Sequence, residues 1–411
     1  MVAAGAGIEE KTSSQRLTMF KTNPHILRLS SAQALAGANS TVVYASGAII
    51  GHTLAPSPEL ATLPISIFVA GMALSTLPMG AVARKHGRRA AFLVGNVCGV
   101  LMGLIAAYGL VQKSFLIFCL AMIFGGIYAA IVLTFRFAAA ECVAPDKRPR
   151  ALSTVMAGGV LAGVVGPQLA NVTMNLWSPY VYAATYIGSA VVAVLSAIVL
   201  SGIKFEYEVP QVKSEGRPLS EIVRQPRLII AMLCGTISYM LMNFLMTSAP
   251  LAMEICGISR IDANWGIQWH LIGMYAPSFF TGRLITRFGA RKVVLTGLIL
   301  LGMSAAVGYS GMAVAHFVSS LILLGIGWNF GFLGASALVL ECHLPSERTK
   351  VQSLNDFVVF GMMFIGSFAS GGLLSKYGWE TVCLFAFPPL LLAVVAILWT
   401  SAVSAKSQSA T

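Results

Sequence analysis

Charge is what this chain has least of. Asp, Glu, Lys and Arg make up 10% of its 411 residues, against 57% apolar residues, and mean hydropathy is +0.80. A soluble domain carries roughly 25% charged residues, so a water-facing globular fold is excluded. Metal-ligand spacing is also missing. The seven cysteines form no Cys-x-x-Cys or Cys/His pattern, which leaves neither a disulfide framework nor a zinc site and predicts small apolar helix residues instead. There is no Walker loop and no Ser/His/Asp grouping, so ATP-driven transport by this chain alone and hydrolytic chemistry are both excluded, and no cofactor is expected. Met1 to Leu27 lacks a small-residue cleavage site and reads as a short cytoplasmic tail, not a cleaved signal.

What is present is a succession of long apolar runs. A spanning helix needs about 20 mostly apolar residues, and the runs at 29–51, 62–83, 90–111, 115–143, 150–173, 180–202, 228–253, 264–286, 292–314, 316–341, 351–375 and 379–402 each supply them. The predicted fold class is therefore all-α and polytopic. Its organisation is a cytoplasmic tail at 1–28, a six-helix bundle at 29–203, a charged linker at 204–227, a second bundle at 228–402 and a tail at 403–411. The net charge of +12 does not point to nucleic acid, because the basic residues cluster at helix ends, where membrane topology places them. With the N-terminus inside, only Lys113, Arg260 and Lys376 fall in outer loops. Cytoplasmic N- and C-termini are expected, in a multi-pass protein of the inner membrane.

The two bundles repeat one another. Gly80 to Arg89 is a glycine-bracketed basic knot between the second and third runs, and it recurs at Gly282 to Lys292. Glu141-Cys-Val-Ala-Pro-Asp-Lys-Arg148 and Glu341-Cys-His-Leu-Pro-Ser-Glu-Arg348 align without a gap. Each places a carboxylate at a helix end, a proline that stops the helix and an arginine seven positions on. Glu141 and Glu341 are the expected acceptors for the basic knots. Two parallel repeats place a solute site between the halves near the bilayer midplane.

These motifs resemble the major facilitator superfamily over about Leu27 to Val403. The family signature between helices 2 and 3 is matched at Gly80, Lys85, Gly87, Arg88 and Arg89, with Arg84 in place of the usual Asp. The resemblance implies an alternating-access transporter and not an enzyme, monomeric, with the knot latching the inner face; Arg84, Arg88, Arg148 and Arg348 with Glu141 and Glu341 are its gating candidates. Gly158 to Pro167 resembles the glycine-proline motif of drug:proton antiporters, without the glycine pair that usually follows, and reads as a packing seam. The segments Gly325 to Gly334 and Val351 to Phe357 resemble a bacterial branch of mostly unassigned permeases, near which some riboflavin uptake proteins stand.

The substrate candidates are polar or aromatic residues several turns from a helix end: Asn39, Tyr44, Tyr128, Arg136, Gln168, Asn171, Asn243, Gln268, Tyr275, Trp328 and Asn329. Trp328 and Asn329 stand out, because glycines at 325, 327 and 331 thin the helix around them. Amides in lipid need partners, so each of them competes as glue between helices. Asp356 is the one carboxylate inside a run and away from a loop motif. It is the candidate for proton coupling, with Arg84, Arg88 or Arg89 as expected partners. No acid lies near the middle of the first, fourth, seventh or tenth run. That suits a small organic solute that is neutral or anionic, aromatic ones included. A drug/proton exporter, riboflavin-like vitamin uptake and a transporter-like receptor are the competing readings.

Overall fold

In lipid every backbone N–H and C=O must be satisfied within the protein, and an apolar run meets that requirement by becoming a helix. The computed structural model describes residues 24–57, 60, 63–203 and 216–408. In chain order its helices are α1 (Pro24–Leu54), α2 (Leu63–Val111), α3 (Phe115–Leu133), α4 (Phe135–Glu141), α5 (Arg148–Ala157), α6 (Gly159–Thr173), α7 (Ala183–Ser201), α8 (Leu219–Ile222), α9 (Pro226–Ile255), α10 (Arg260–Tyr275), α11 (Ser278–Phe288), α12 (Ala290–Tyr309), α13 (Val314–Leu340), α14 (Arg348–Phe385) and α15 (Phe387–Gln408). Short 3-10 turns at Pro145–Lys147 and Pro345–Glu347 lead into α5 and α14.

These helices account for the expected spans, with two kinds of difference. Where a sharp turn was expected, the second and third runs join as α2, reversing at Gly87, whose φ of 82° suits glycine and few other residues. Gly378 does the same within α14. Conversely, the fourth, fifth, eighth and twelfth runs are each broken, at Thr134, Gly158, Ala276–Pro277 and Ala386, giving α3/α4, α5/α6, α10/α11 and the step from α14 to α15. Nine of the described helical segments are long and apolar enough to cross a membrane. Leu63–Val111 holds two passes, while α1, with Gln33 and Asn39, and the broken α10/α11 are more polar. Residues 24–28 of the expected tail are already helical. Most of the tail at 1–28, the linker residues 204–215 and residues 409–411 lie outside the described residues.

The halves repeat at atomic level. A Cβ on Gly126 of α3 would strike the Phe68 carbonyl, the Met72 nitrogen and Gly71 of α2. A Cβ on Gly325 of α13 would strike the His270 carbonyl, the Met274 nitrogen and Gly273 of α10. Phe68, Gly71 and Met72 stand 202 positions before His270, Gly273 and Met274. The same small-residue contact therefore joins the second helix to the fourth in both halves, as lipid-embedded packing favours. Gly289, with φ 86°, is the counterpart of Gly87.

The end bearing the 80–89 and 282–292 turns, here the basic end, is where the halves meet closely. A Cβ on Gly80 would collide with Ser353 of α14, and one on Gly282 with Arg150, Pro149 and Ser153 around α5. Farther in, Gly159 of α6 accommodates the ring of Tyr275.

Candidate functional site

The break at Thr134 sets up the centre of the molecule. Phe137 N–H donates to the Thr134 carbonyl at 3.0 Å, leaving the Leu133 carbonyl without its usual helical donor. Arg136 Nη1 donates to that carbonyl, while its Nη2 donates to Asp356 Oδ1 on α14 at 2.8 Å. The guanidinium lies against the rings of Phe137 at 4.3 Å and Phe332 at 4.5 Å, contacts that stabilise a desolvated cation. Asn355 Nδ2 donates to the same carboxylate oxygen at 3.0 Å. Arg136 and Asp356 are 0% and 2% exposed, so this is a fully buried ion pair joining the N-terminal half to the C-terminal half. Asp356 was expected to meet Arg84, Arg88 or Arg89; it meets Arg136, because α4 brings residue 136 level with it across the interface.

An aromatic cage, its rings packed directly on one another in this structure, adjoins the pair. Trp328 stacks on Phe332 with centroids 5.3 Å apart. Tyr239 of α9 sits edge-on to Trp328 at 5.3 Å, Phe332 at 4.9 Å and Phe360 at 5.9 Å. Tyr275 also sits edge-on to Trp328, at 5.8 Å. One helical turn beyond Tyr239, Asn243 Oδ1 accepts from Tyr44 Oη of the N-terminal half at 3.3 Å, and its Nδ2 donates to the Met363 carbonyl at 3.4 Å. Tyr44, Arg136, Asn243, Tyr275, Trp328 and Asp356, expected separately, thus converge on one region. Tyr239, Phe137, Phe332 and Phe360 were missed. Tyr239 was findable as a residue four before Asn243 on the same face.

Other candidates lie elsewhere. Asn329 is spent on packing: it accepts from Thr281 Oγ1 at 2.7 Å and donates to the Met274 carbonyl at 2.6 Å and Ser278 Oγ at 2.5 Å. All three partners lie at the α10/α11 break, where Asn329 supplies a donor to the Met274 carbonyl and holds the Ser278 and Thr281 hydroxyls. Asn329→Ala is therefore expected to lower stability by roughly 1–2 kcal/mol and leave solute affinity unchanged, as thermal unfolding and binding of the purified protein would report. Asn39 ties α1 to the Ser189 carbonyl at 3.1 Å, and Tyr128 donates to Asn96 at 3.2 Å inside the N-terminal half. Gln268 is half-buried, and Gln168 and Asn171 are exposed.

The basic end carries a second cluster. Arg88 grips Glu141 with Nε at 2.8 Å and Nη2 at 2.5 Å, and Nη2 also reaches Gln352 Oε1 of α14 at 2.6 Å. Arg348 approaches Glu141 at 3.5 Å from the other half. Gln352 extends the chain to His343 Nε2 at 3.4 Å. Burial pushes the His343 imidazole below its ordinary value, which suits a neutral ring with Nδ1–H donating to the Leu344 carbonyl and Nε2 accepting. Arg84 is exposed and Arg148 half-buried; Glu341 is exposed at a helix end, lining a small cavity with Arg227 and Arg291. The repeat is thus asymmetric in its contacts. Where the first copy has Lys147, the second has Glu347, a buried carboxylate that accepts from Arg217 Nε and Nη2, both at 2.8 Å, and anchors the linker's end. A further small cavity, lined by Thr76, Thr134, Arg88, Gln352, Ser353 and Asp356, runs between the two clusters.

The sequence model of the Major Facilitator Superfamily matches residues 29–251 and 231–411. The chain is 44% identical over 381 residues to the riboflavin transporter RfnT of Brucella anthropi, covering 91% of this chain and 95% of that one. It is 32% identical over 155 residues to the 4-hydroxybenzoate transporter PcaK of Pseudomonas putida, about a third of each chain (37% and 34%). Among solved structures, the proton:xylose symporter XylE superposes with a TM-score of 0.73 at 12% identity, over 92% of this chain and 95% of that one, a likeness of fold. A helical fold repeated in two halves, closed around a buried interfacial site and matched along its length, places this chain in the major facilitator superfamily, as a multi-pass membrane transporter and not an enzyme.

Proposed function

We propose that the chain moves a riboflavin-type solute, planar, aromatic and neutral or anionic, across the inner membrane by alternating access. The observation that carries this reading is the cage of Tyr239, Tyr275, Trp328 and Phe332 beside Arg136, at the junction of the halves. Aromatic pairs contribute about 0.5–1.5 kcal/mol each beyond area burial, so a tricyclic ring system inserted among these side chains gains from several at once. The 44% identical relative named for riboflavin supports the same class. Orientation follows the basic residues: the basic end faces the cytoplasm with both termini, and the structure is the form closed on that side. Asp356 is the protonation site, because parting the halves removes Arg136 and a bare buried carboxylate is costly.

Stacking quenches isoalloxazine fluorescence, which gives a direct test. Riboflavin added to the purified protein is expected to lose emission saturably, and Tyr239→Ala to weaken that binding about tenfold or more, the loss of two or three aromatic contacts. Unquenched riboflavin at every protein concentration would remove the vitamin from consideration. A second reading, an aromatic carboxylate, is favoured by the buried guanidinium of Arg136 and by the partial match to PcaK. Competition of 4-hydroxybenzoate in the same assay separates the two.

A further inference from the structure

Two donors in the cage have no acceptor among the described residues: Trp328 Nε1 and Arg136 Nε. Both groups are fully buried, at 0% exposure, and an unmade hydrogen bond in such a place costs about 1–3 kcal/mol. Native proteins rarely leave buried N–H groups idle without a reason. Arg136 Nη1 and Nη2 are held by Leu133 and Asp356, Asn329 by three partners and Asn243 by Tyr44 and Met363, while Ser238 Oγ, packed against Gly331, is a third buried group without a partner among the described residues. The idle donors belong to opposite halves, and both side chains touch one ring, Phe332, at 5.3 Å for Trp328 and 4.5 Å for Arg136.

We infer that Trp328 Nε1–H and Arg136 Nε–H recognise acceptor atoms on the rim of the planar solute, one donor from each half, so that the solute must carry at least two carbonyl or ring-nitrogen acceptors. This rests on the cage being the riboflavin-type site proposed above and adds what it selects. Rings supply affinity for any flat aromatic molecule, whereas unpaired donors discriminate: a solute lacking the acceptors leaves both N–H groups buried and unsatisfied. A bound solute with two acceptors also ties α4 to α13, so that binding and the approach of the halves are linked.

The test removes an N–H and keeps the ring. Wild type, Trp328→Phe, and a variant with 3-benzothienylalanine at 328, in which sulfur replaces the indole N–H, are titrated with riboflavin and with its 2-thio and 4-thio analogues, whose sulfur is a poor acceptor; thermal melting reports folding. The benzothienyl variant is expected to melt near wild type and to bind riboflavin about tenfold or more weakly. One thio analogue, already weakened against wild type, is expected to lose no more than about threefold further. Arg136→Lys, which keeps the charge facing Asp356 and removes Nε–H, is expected to show the same non-additivity with the other analogue. Equal losses for riboflavin and both analogues would overturn the assignment and leave Trp328 as a packing ring. Absence of riboflavin binding to wild type would overturn the cage reading itself, and this assignment with it.

Discussion

Asp356→Ala is expected to stop net transport and to cost about 3–5 kcal/mol of stability, the penalty for leaving a buried charge without its partner. Arg136 would then keep only the Leu133 carbonyl and two ring faces. Arg136→Ala is expected to be as damaging, because it strands the carboxylate with Asn355 alone. The double variant removes both charges and is expected to be more stable than either single one, so the cycle gives a large coupling. Asp356→Asn separates structure from coupling. An amide still accepts from Arg136 but carries no titrating proton, so solute exchange survives while dependence on a pH gradient disappears. Unchanged pH dependence in Asp356→Asn would remove this residue as the proton site.

Gly80→Leu combined with Gly282→Leu is expected to abolish transport by a different route. These glycines are the points where α2 meets α14 and α11 meets the start of α5, and even a Cβ at either runs into Ser353, or into the Arg150 and Pro149 backbone. Two leucines wedge the basic end apart, pulling Arg88 from Gln352 and Arg348 from Glu141. A reporter cysteine replacing Thr349, which lines the cavity beneath the Arg88 cluster, should then be modified from the basic side many times faster than in a protein with intact glycines. Unaltered labelling would show that the basic end closes without this contact.

The sequence made the outline legible because its signals are local. Twenty-residue apolar runs, the Gly87 and Gly289 turns, and a carboxylate at each repeated helix end are all readable within a few positions, and Glu141 does accept from Arg88. The Arg136–Asp356 pair was not readable, since its members lie 220 positions apart on different halves and only the packed interface sets α4 against α14. The packing partners of Asn329 were hidden for a related reason. Its neighbouring glycines suggested room for a solute, but Gly325 and Gly327 admit the backbones of α10 and α12, Gly331 admits the Ser238 side chain of α9, and residues at the break beside Pro277 take up the amide's bonds. Tyr239 went unnoticed because a lone tyrosine in an apolar run looks like filler until three other rings converge on it.

The most direct measurement is counterflow. Purified protein in liposomes loaded with unlabelled riboflavin is given a trace of labelled riboflavin outside, with no ion gradient across the membrane. Transient accumulation of label is expected, abolished by Gly80→Leu/Gly282→Leu, retained by Asp356→Asn and diminished by Tyr239→Ala. Label that never rises above simple equilibration, from protein that is folded and correctly inserted, would contradict the riboflavin-type cage at the junction of the two halves.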